Sequence, residues 1–228
     1  MSLPPISQDD FELPRSRTLA DQALSGLREG ILSGRLAPGS ALSLKAMAEW
    51  LGMSPTPIRE ALRQLALEGL VDLDSFKGAR VAPIAVENVR DIYSWRILLE
   101  ANAMRRAVAN VTDKAVDAAQ RTLEAYGAAY EANRPDLARR RHRDFHFALY
   151  GAADSEWIGR LVDPLWQNSE RYQRIASTRR GSGHELVAEH QALLDAWRSG
   201  DPEHAAAAMT DHLQRSVDLI VDYLNSAA

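Results

Sequence analysis

The sequence predicts a mainly α protein in two parts: three helices with a small β-hairpin, then an all-α antiparallel bundle of about six helices. Three observations carry this. Short strand signals occur only between Leu70 and Pro83. Beyond Pro83, apolar residues recur at helical spacing in long stripes, separated by short breaks rich in Gly, Pro and Asp. The chain of 228 residues is rich in Ala and sparse in Gly and Pro, a composition that favours helices.

Residues 1–17 are polar, hold Pro4, Pro5 and Pro14, and show no periodicity, so they read as a tail. From Thr18, Leu19, Ala23, Leu27 and Ile31 mark a first helix, closed by Gly34 and the turn signal Pro38-Gly39. A second helix starts at Ser43, a good N-cap, and ends at Gly52, where a left-handed stop is needed. Ser54 is placed to cap a third helix, with Pro57 in its first turn and Ile58, Ala61, Leu62 and Leu65 on its inner face. Two short strands follow around a turn at Ser75–Gly78. The expected units are 18–83, a linker at 84–88, and 89–228. Helical stripes of the second unit run from Glu87 to Ala109, Thr112 to Asn133, Asp136 to Ala152, Ser155 to Ser177, Glu185 to Ser199 and Pro202 to Asn225. Pro164 is expected to kink or restart the fourth of these.

Composition removes several functional classes. There is no cysteine, which excludes a disulfide scaffold, an iron–sulfur cluster, a thiolate zinc site and a cysteine nucleophile. No apolar stretch approaches the ~20 residues that span a bilayer. The first ten residues lack the basic start and apolar core of a secretory signal, so a cytoplasmic location is expected. Net charge is −4, and up to Pro83 nine basic residues face ten acidic ones. Charge alone does not point to nucleic acid; any such reading rests on a local motif.

That motif is the second and third helices with their tight Gly turn, which fit helix-turn-helix geometry. Ser54 and Thr56 open the third helix, where hydroxyls and backbone N–H groups suit phosphate oxygens. Arg59 and Arg63 lie one turn apart, opposite Leu62 and Leu65, and Arg reads guanine bidentately in the major groove. Lys77-Gly78 at the hairpin tip is placed to reach the DNA backbone or minor groove. The alternative is a helical hairpin whose arginines are merely solvated.

The run from Leu36 to Val71, above all Pro57-x-Arg59-Glu60-Ala61-Leu62 followed by Glu68-Gly69-Leu70, resembles the N-terminal domain of GntR-family transcriptional regulators. Lys77-Gly78-x-x-Val81 looks like that family's wing. The resemblance implies a winged helix-turn-helix that binds double-stranded operator DNA as a homodimer, with contacts at Lys45, Ser54, Thr56, Arg59 and the wing. Many relatives carry Arg where this chain has Pro55, which leaves Arg59 more of the readout.

All six histidines lie beyond residue 141. His142 and His146 are one turn apart, and Leu149 extends their stripe inward. His190 shares a stripe with Leu186, Leu193 and Trp197, and His212 with Met209 and Leu213. Three helices thus send imidazoles toward one interior, and neutral imidazole is a common ligand for zinc or nickel. Singly, each reads as a satisfied core residue; it is the four together that point to a metal. His184 and His204 read as surface residues.

The segments His142-x-x-Phe145-His146, Glu189-His190 and His212-Leu213 resemble the FCD sensor domain of FadR-type GntR regulators. That resemblance implies a divalent metal on His146, His190 and His212, with His142 where the family usually has Asp or Asn, and a small carboxylate effector beside the metal. Arg96 falls in the inward stripe Ile92, Tyr93, Arg96, Leu99, Glu100, Ala103. An inward Arg needs a partner: either Glu100, one turn on, or a bound carboxylate, and the family pattern Arg-x-x-Leu-Glu favours the pocket. Arg171 and Arg174 are further pocket candidates. Arg139–Arg143 reads mostly as a solvated face. The expected function is a ligand-responsive, DNA-binding regulator. Two alternatives are a regulator for which the ion itself is the signal, and a helical His-site metalloenzyme with Glu100 as its one candidate base.

Overall fold

The first helix, α1 (Leu19–Leu32), opens at Thr18, whose hydroxyl accepts from the Asp21 N–H at 3.1 Å. The computed structural model describes residues 18–74, 78–177 and 183–227. Strand β1 (Ala41–Leu42) precedes α2 (Leu44–Leu51), capped by Ser43 and ended by Gly52 in the left-handed conformation, φ 64°. Helix α3 (Pro55–Leu67) follows, then β2 (Val71–Asp74) and β3 (Gly78–Val81). The expected hairpin is part of a three-stranded antiparallel sheet in the order β1-β3-β2, with Ala41 opposite Arg80 and Val71 opposite Val81. A two-residue strand is too short to show alternation, which is why sequence periodicity omits β1.

Leu27, Ile31, Leu36, Met47, Ile58, Leu65, Leu70 and Val81 form this unit's core. Gly30 lets α1 come close: a Cβ there would stand 2.9 Å from the Trp50 ring. Glu68, at the end of α3, takes a bidentate hydrogen bond from Arg28 of α1 at 2.6 and 2.7 Å. The Glu-Gly-Leu motif therefore serves to fix the angle of α3 on α1. Ser54 precedes α3 but makes no cap hydrogen bond, contrary to expectation. With Pro at two of the first three positions of α3, few N–H groups remain to be capped or to bind phosphate.

The second unit is all helical: α4 (Val86–Ala107), a short 3-10 turn (Val108–Asn110), α5 (Asp113–Glu131), α6 (Pro135–Gly151), α7 (Ile158–Ile175), α8 (Gly183–Arg198) and α9 (Pro202–Ala227). Helix α4 packs along α9, α5 along α6 and α8, and α8 against α9. Helix α7 runs through Pro164 without restarting. Buried Val162 and Trp166 hold it on both sides, and Asn168 Nδ2 donates to the Pro164 carbonyl at 3.0 Å. The chain divides into two compact units, one running to Ala85 and taking in Glu170–Arg174, the other holding Val86–Ser169 and Ile175 onward. Among the described residues no helix is long and apolar enough to cross a membrane.

Candidate metal centre and nucleic-acid interface

Helix α3 turns Ile58, Ala61, Leu62 and Leu65 into the core, which forces Ser54, Thr56, Arg59 and Arg63 outward; all four are exposed. Arg59, Arg63 and Gly78 line one shallow hollow with Ala41, Leu42 and Leu73, so the third helix and the hairpin share a face. Neither arginine has an ion-pair partner among the described residues. Lys45 is exposed on α2 with Glu49 at 3.9 Å. Gly78 opens β3 at φ 79°. Lys77 lies outside the described residues.

In the bundle, α6 supplies His142 and His146, α8 His190 and α9 His212, and all four are buried. One nitrogen of each lies within 4.8 Å of those of the others. The Nε2 atoms of His142 and His146 are 3.2 Å apart. Nitrogens around a tetrahedral zinc, at about 2.0–2.1 Å from the ion, stand roughly 3.3 Å from one another. The donor set therefore fits a late transition ion, and imidazole is the ligand such ions accept. His184 and His204 are exposed.

The rings of His146, His190 and His212 are oriented from behind. His190 Nδ1 lies 2.6 Å from the Leu186 carbonyl and His212 Nδ1 lies 3.0 Å from Glu189 Oε1. A carbonyl and a carboxylate only accept, so both Nδ1 atoms carry the proton and both Nε2 lone pairs are left for the centre. His146 Nδ1 lies 3.1 Å from Tyr150 Oη, whose own proton is donated to Glu100. Tyr150 Oη must then accept from His146, which fixes the same tautomer. Burial first, then its neighbours His142, His212, His190 and Arg96, hold His146 well below the usual histidine range, so it stays neutral. Burial, reinforced by Glu100, pushes the Tyr150 hydroxyl well up, so it remains a donor. Burial would raise the Glu189 carboxyl, but hydrogen bonds from His212 and Arg215 outweigh it and bring it to about 2.

Arg96 takes the first of the two partners that the sequence left open. Its Nε is 2.6 Å from Glu100 Oε1, its Nη1 donates to Ser169 Oγ at 2.7 Å, and the guanidinium lies 4.4 Å from the Trp166 ring centre. With exposures of 1% and 0%, the Arg96–Glu100 pair is sealed in the interior. Arg171 does not join the histidines: it donates to the Ala82 and Pro83 carbonyls at 3.0 and 2.6 Å. Arg174 faces Glu29 and Glu170. Arg139, Arg141 and Arg143 pair with Asp136, Asp144 and Asp163, the solvated-face arrangement. A cavity opens beside His142, His190 and His212, and its charged lining is Glu185, Glu189 and Arg215, not Arg96 or Arg171.

Two family models match the chain: the gntR family of bacterial regulatory proteins over residues 13–81 and the FCD domain over residues 91–215. The chain belongs to the GntR family. Within the GntR regulators it carries the FCD domain, and it is a DNA-binding transcriptional regulator rather than an enzyme. It is 29% identical over 213 residues to the HTH-type transcriptional regulator BphR of Paraburkholderia xenovorans, covering 90% of this chain and 86% of that protein. It is 27% identical over 205 residues to the HTH-type transcriptional repressor RspR of Escherichia coli, covering 90% of each. In fold it resembles the E. coli regulator McbR, with a TM-score of 0.75 at 24% identity over 91% of this chain and 99% of that one.

In this GntR regulator the sequence showed no role for Tyr150, Ser169 and Arg215, nor for Glu189, which entered only as part of the Glu189-His190 segment. Glu189 stands next to His190, and Tyr150 lies one turn beyond His146 on the same stripe. Those positions were the available signals. Ser169 carried none, being 73 residues from Arg96.

Proposed function

We propose that this protein is a homodimeric regulator that binds operator DNA in the bacterial cytoplasm and is controlled from its histidine centre. Arg59 and Arg63 read base edges, Lys45, Ser54 and Thr56 hold phosphates, and Lys77-Gly78 at the hairpin tip follows the backbone or minor groove. His142, His146, His190 and His212 hold a divalent ion, zinc or nickel, which ties α6, α8 and α9 together. The observation that carries this reading is the cluster of four buried imidazoles with three Nδ1–H groups turned outward. A small organic acid enters the cavity beside the centre, where Arg215 is the cation within reach. Binding there changes operator affinity only by favouring one state of the protein over another. Repression is the expected mode, as the name of the RspR relative states for that protein.

One observation favours a second reading, in which the ion is itself the signal: four protein ligands complete a tetrahedral coordination sphere and leave no position for an acid. A mobility-shift assay separates the two. Operator release by organic acids with metal present supports the first; a response to chelator and zinc alone supports the second. A protein that contains no metal after reconstitution contradicts both.

A further inference from the structure

A divalent ion in this centre would meet four side chains that are all neutral, and a buried charge without compensation is costly. The opposite charge has to stand one layer out. Glu185 lines the cavity beside the rings, and two further carboxylates are tied to rings of the centre by hydrogen bonds. Glu189 accepts the Nδ1–H of His212 at 3.0 Å, and Glu100 accepts from Tyr150, whose oxygen accepts from His146. Each draws the proton side of a ring toward itself, so each makes the opposite Nε2 a stronger donor to the ion.

The two carboxylates are not equivalent. Glu100 is already matched by Arg96, which is buried with it and gives it two hydrogen bonds. Glu189 shares Oε1 with Arg215 Nε at 3.0 Å, but that side chain is 60% exposed, so water screens its charge. More of the Glu189 charge is therefore left for the centre. We infer that Glu189, acting through His212 without touching the ion, is the principal counter-charge of the metal site, with the Tyr150–Glu100 pair second. Both are positioning residues. The inference rests on the metal reading above and adds which residues set affinity for the ion.

The test is competition between the full-length protein and a chromophoric zinc chelator at pH 7.5, for wild type and for Glu189→Gln, Tyr150→Phe, Arg215→Ala and His190→Ala. Glu189→Gln keeps the shape and the acceptor oxygen but loses the charge, and zinc affinity falls 10–100-fold. Tyr150→Phe falls less far. Arg215→Ala does not weaken zinc, because it removes a competing cation. The visible spectrum of the cobalt-loaded Glu189→Gln protein matches that of wild type, because the four ligand atoms are unchanged. The melting temperatures of the metal-free proteins show that these variants are folded. Wild-type zinc affinity in Glu189→Gln, with His190→Ala impaired, overturns the inference and leaves the metal centre standing. So does an Arg215→Ala protein weakened like Glu189→Gln, since the effect would then be packing. A wild-type protein that takes up neither zinc nor cobalt overturns the centre and the inference with it.

Discussion

The winged unit is built on Leu27, Met47, Ile58 and Leu65, and the one charged side chain buried in it among the described residues, Arg171, donates to the Ala82 and Pro83 carbonyls. The helical unit buries Arg96, Glu100, His142, His146, His190 and His212 at the same depth. The first exposes Arg59, Arg63 and Thr56 over an interior that is almost wholly apolar. The second keeps its chemistry inside, where each polar atom must be satisfied and each charge matched. Changes are therefore costly in different places. A side chain of the proposed DNA face should be removable with the fold intact, whereas removal of one from the interior network leaves a partner stranded.

The largest effect should come from that stranding. Arg96→Ala leaves Glu100 buried without its cation, and chemical denaturation should show a loss of about 3–5 kcal/mol. A loss under 1 kcal/mol would mean that the network is not the rigid interior described. Next is the ion. Zinc at about a hundred times its dissociation constant should stabilise the protein by about 2.7 kcal/mol over the chelated form. His190→Ala should abolish that gain in a thermal melt. Third is the outside. Arg59→Ala should cost roughly 1–3 kcal/mol of operator binding with the melting temperature unchanged. An equal loss of stability would erase the contrast between the two units.

Acid sharpens the comparison further. The folded protein holds His146 neutral, while the unfolded chain protonates it below the ordinary value of about 6.5. The unfolded state then binds more protons, so stability is full above that pH and falls as pH drops below it. The winged unit has no histidine and should not respond there. Regional hydrogen exchange of the metal-free protein between pH 7 and 5.5 checks this, with faster opening expected in α6, α8 and α9 and none in α3. Smallest is the exposed pair between Arg105 and Glu203. Arg105→Ala should leave the melting temperature unchanged, because solvent screens such pairs.

The two units also differed in how legible they were. The outer face of α3 followed from the spacing of Arg59 and Arg63 against Leu62 and Leu65, since a helix with one apolar stripe leaves no choice for the rest. Four histidines followed from stripes in the same way. What periodicity gives is the face of a helix, not the neighbour that meets it. Arg96 with Glu100 was visible as one turn of one helix. Ser169, Glu189 with Arg215, and the Tyr150 link to Glu100 depend on which helices pack together and at what height. The Ser54 side chain makes no cap hydrogen bond, and Pro57 removes one of the two N–H groups that it could have served. Arg171, a pocket candidate in the sequence, is buried but meets backbone carbonyls.

In the function proposed above, an inner histidine centre governs an outer DNA-reading face. Fluorescence anisotropy on labelled DNA from beside the protein's own gene tests this most directly, with zinc titrated into chelated protein. Operator affinity should shift at least fivefold over the same zinc range in which the centre fills, and His190→Ala should bind DNA but show no shift. Affinity that is unchanged by zinc, by chelator and by organic acids, with His190→Ala behaving as wild type, would contradict it.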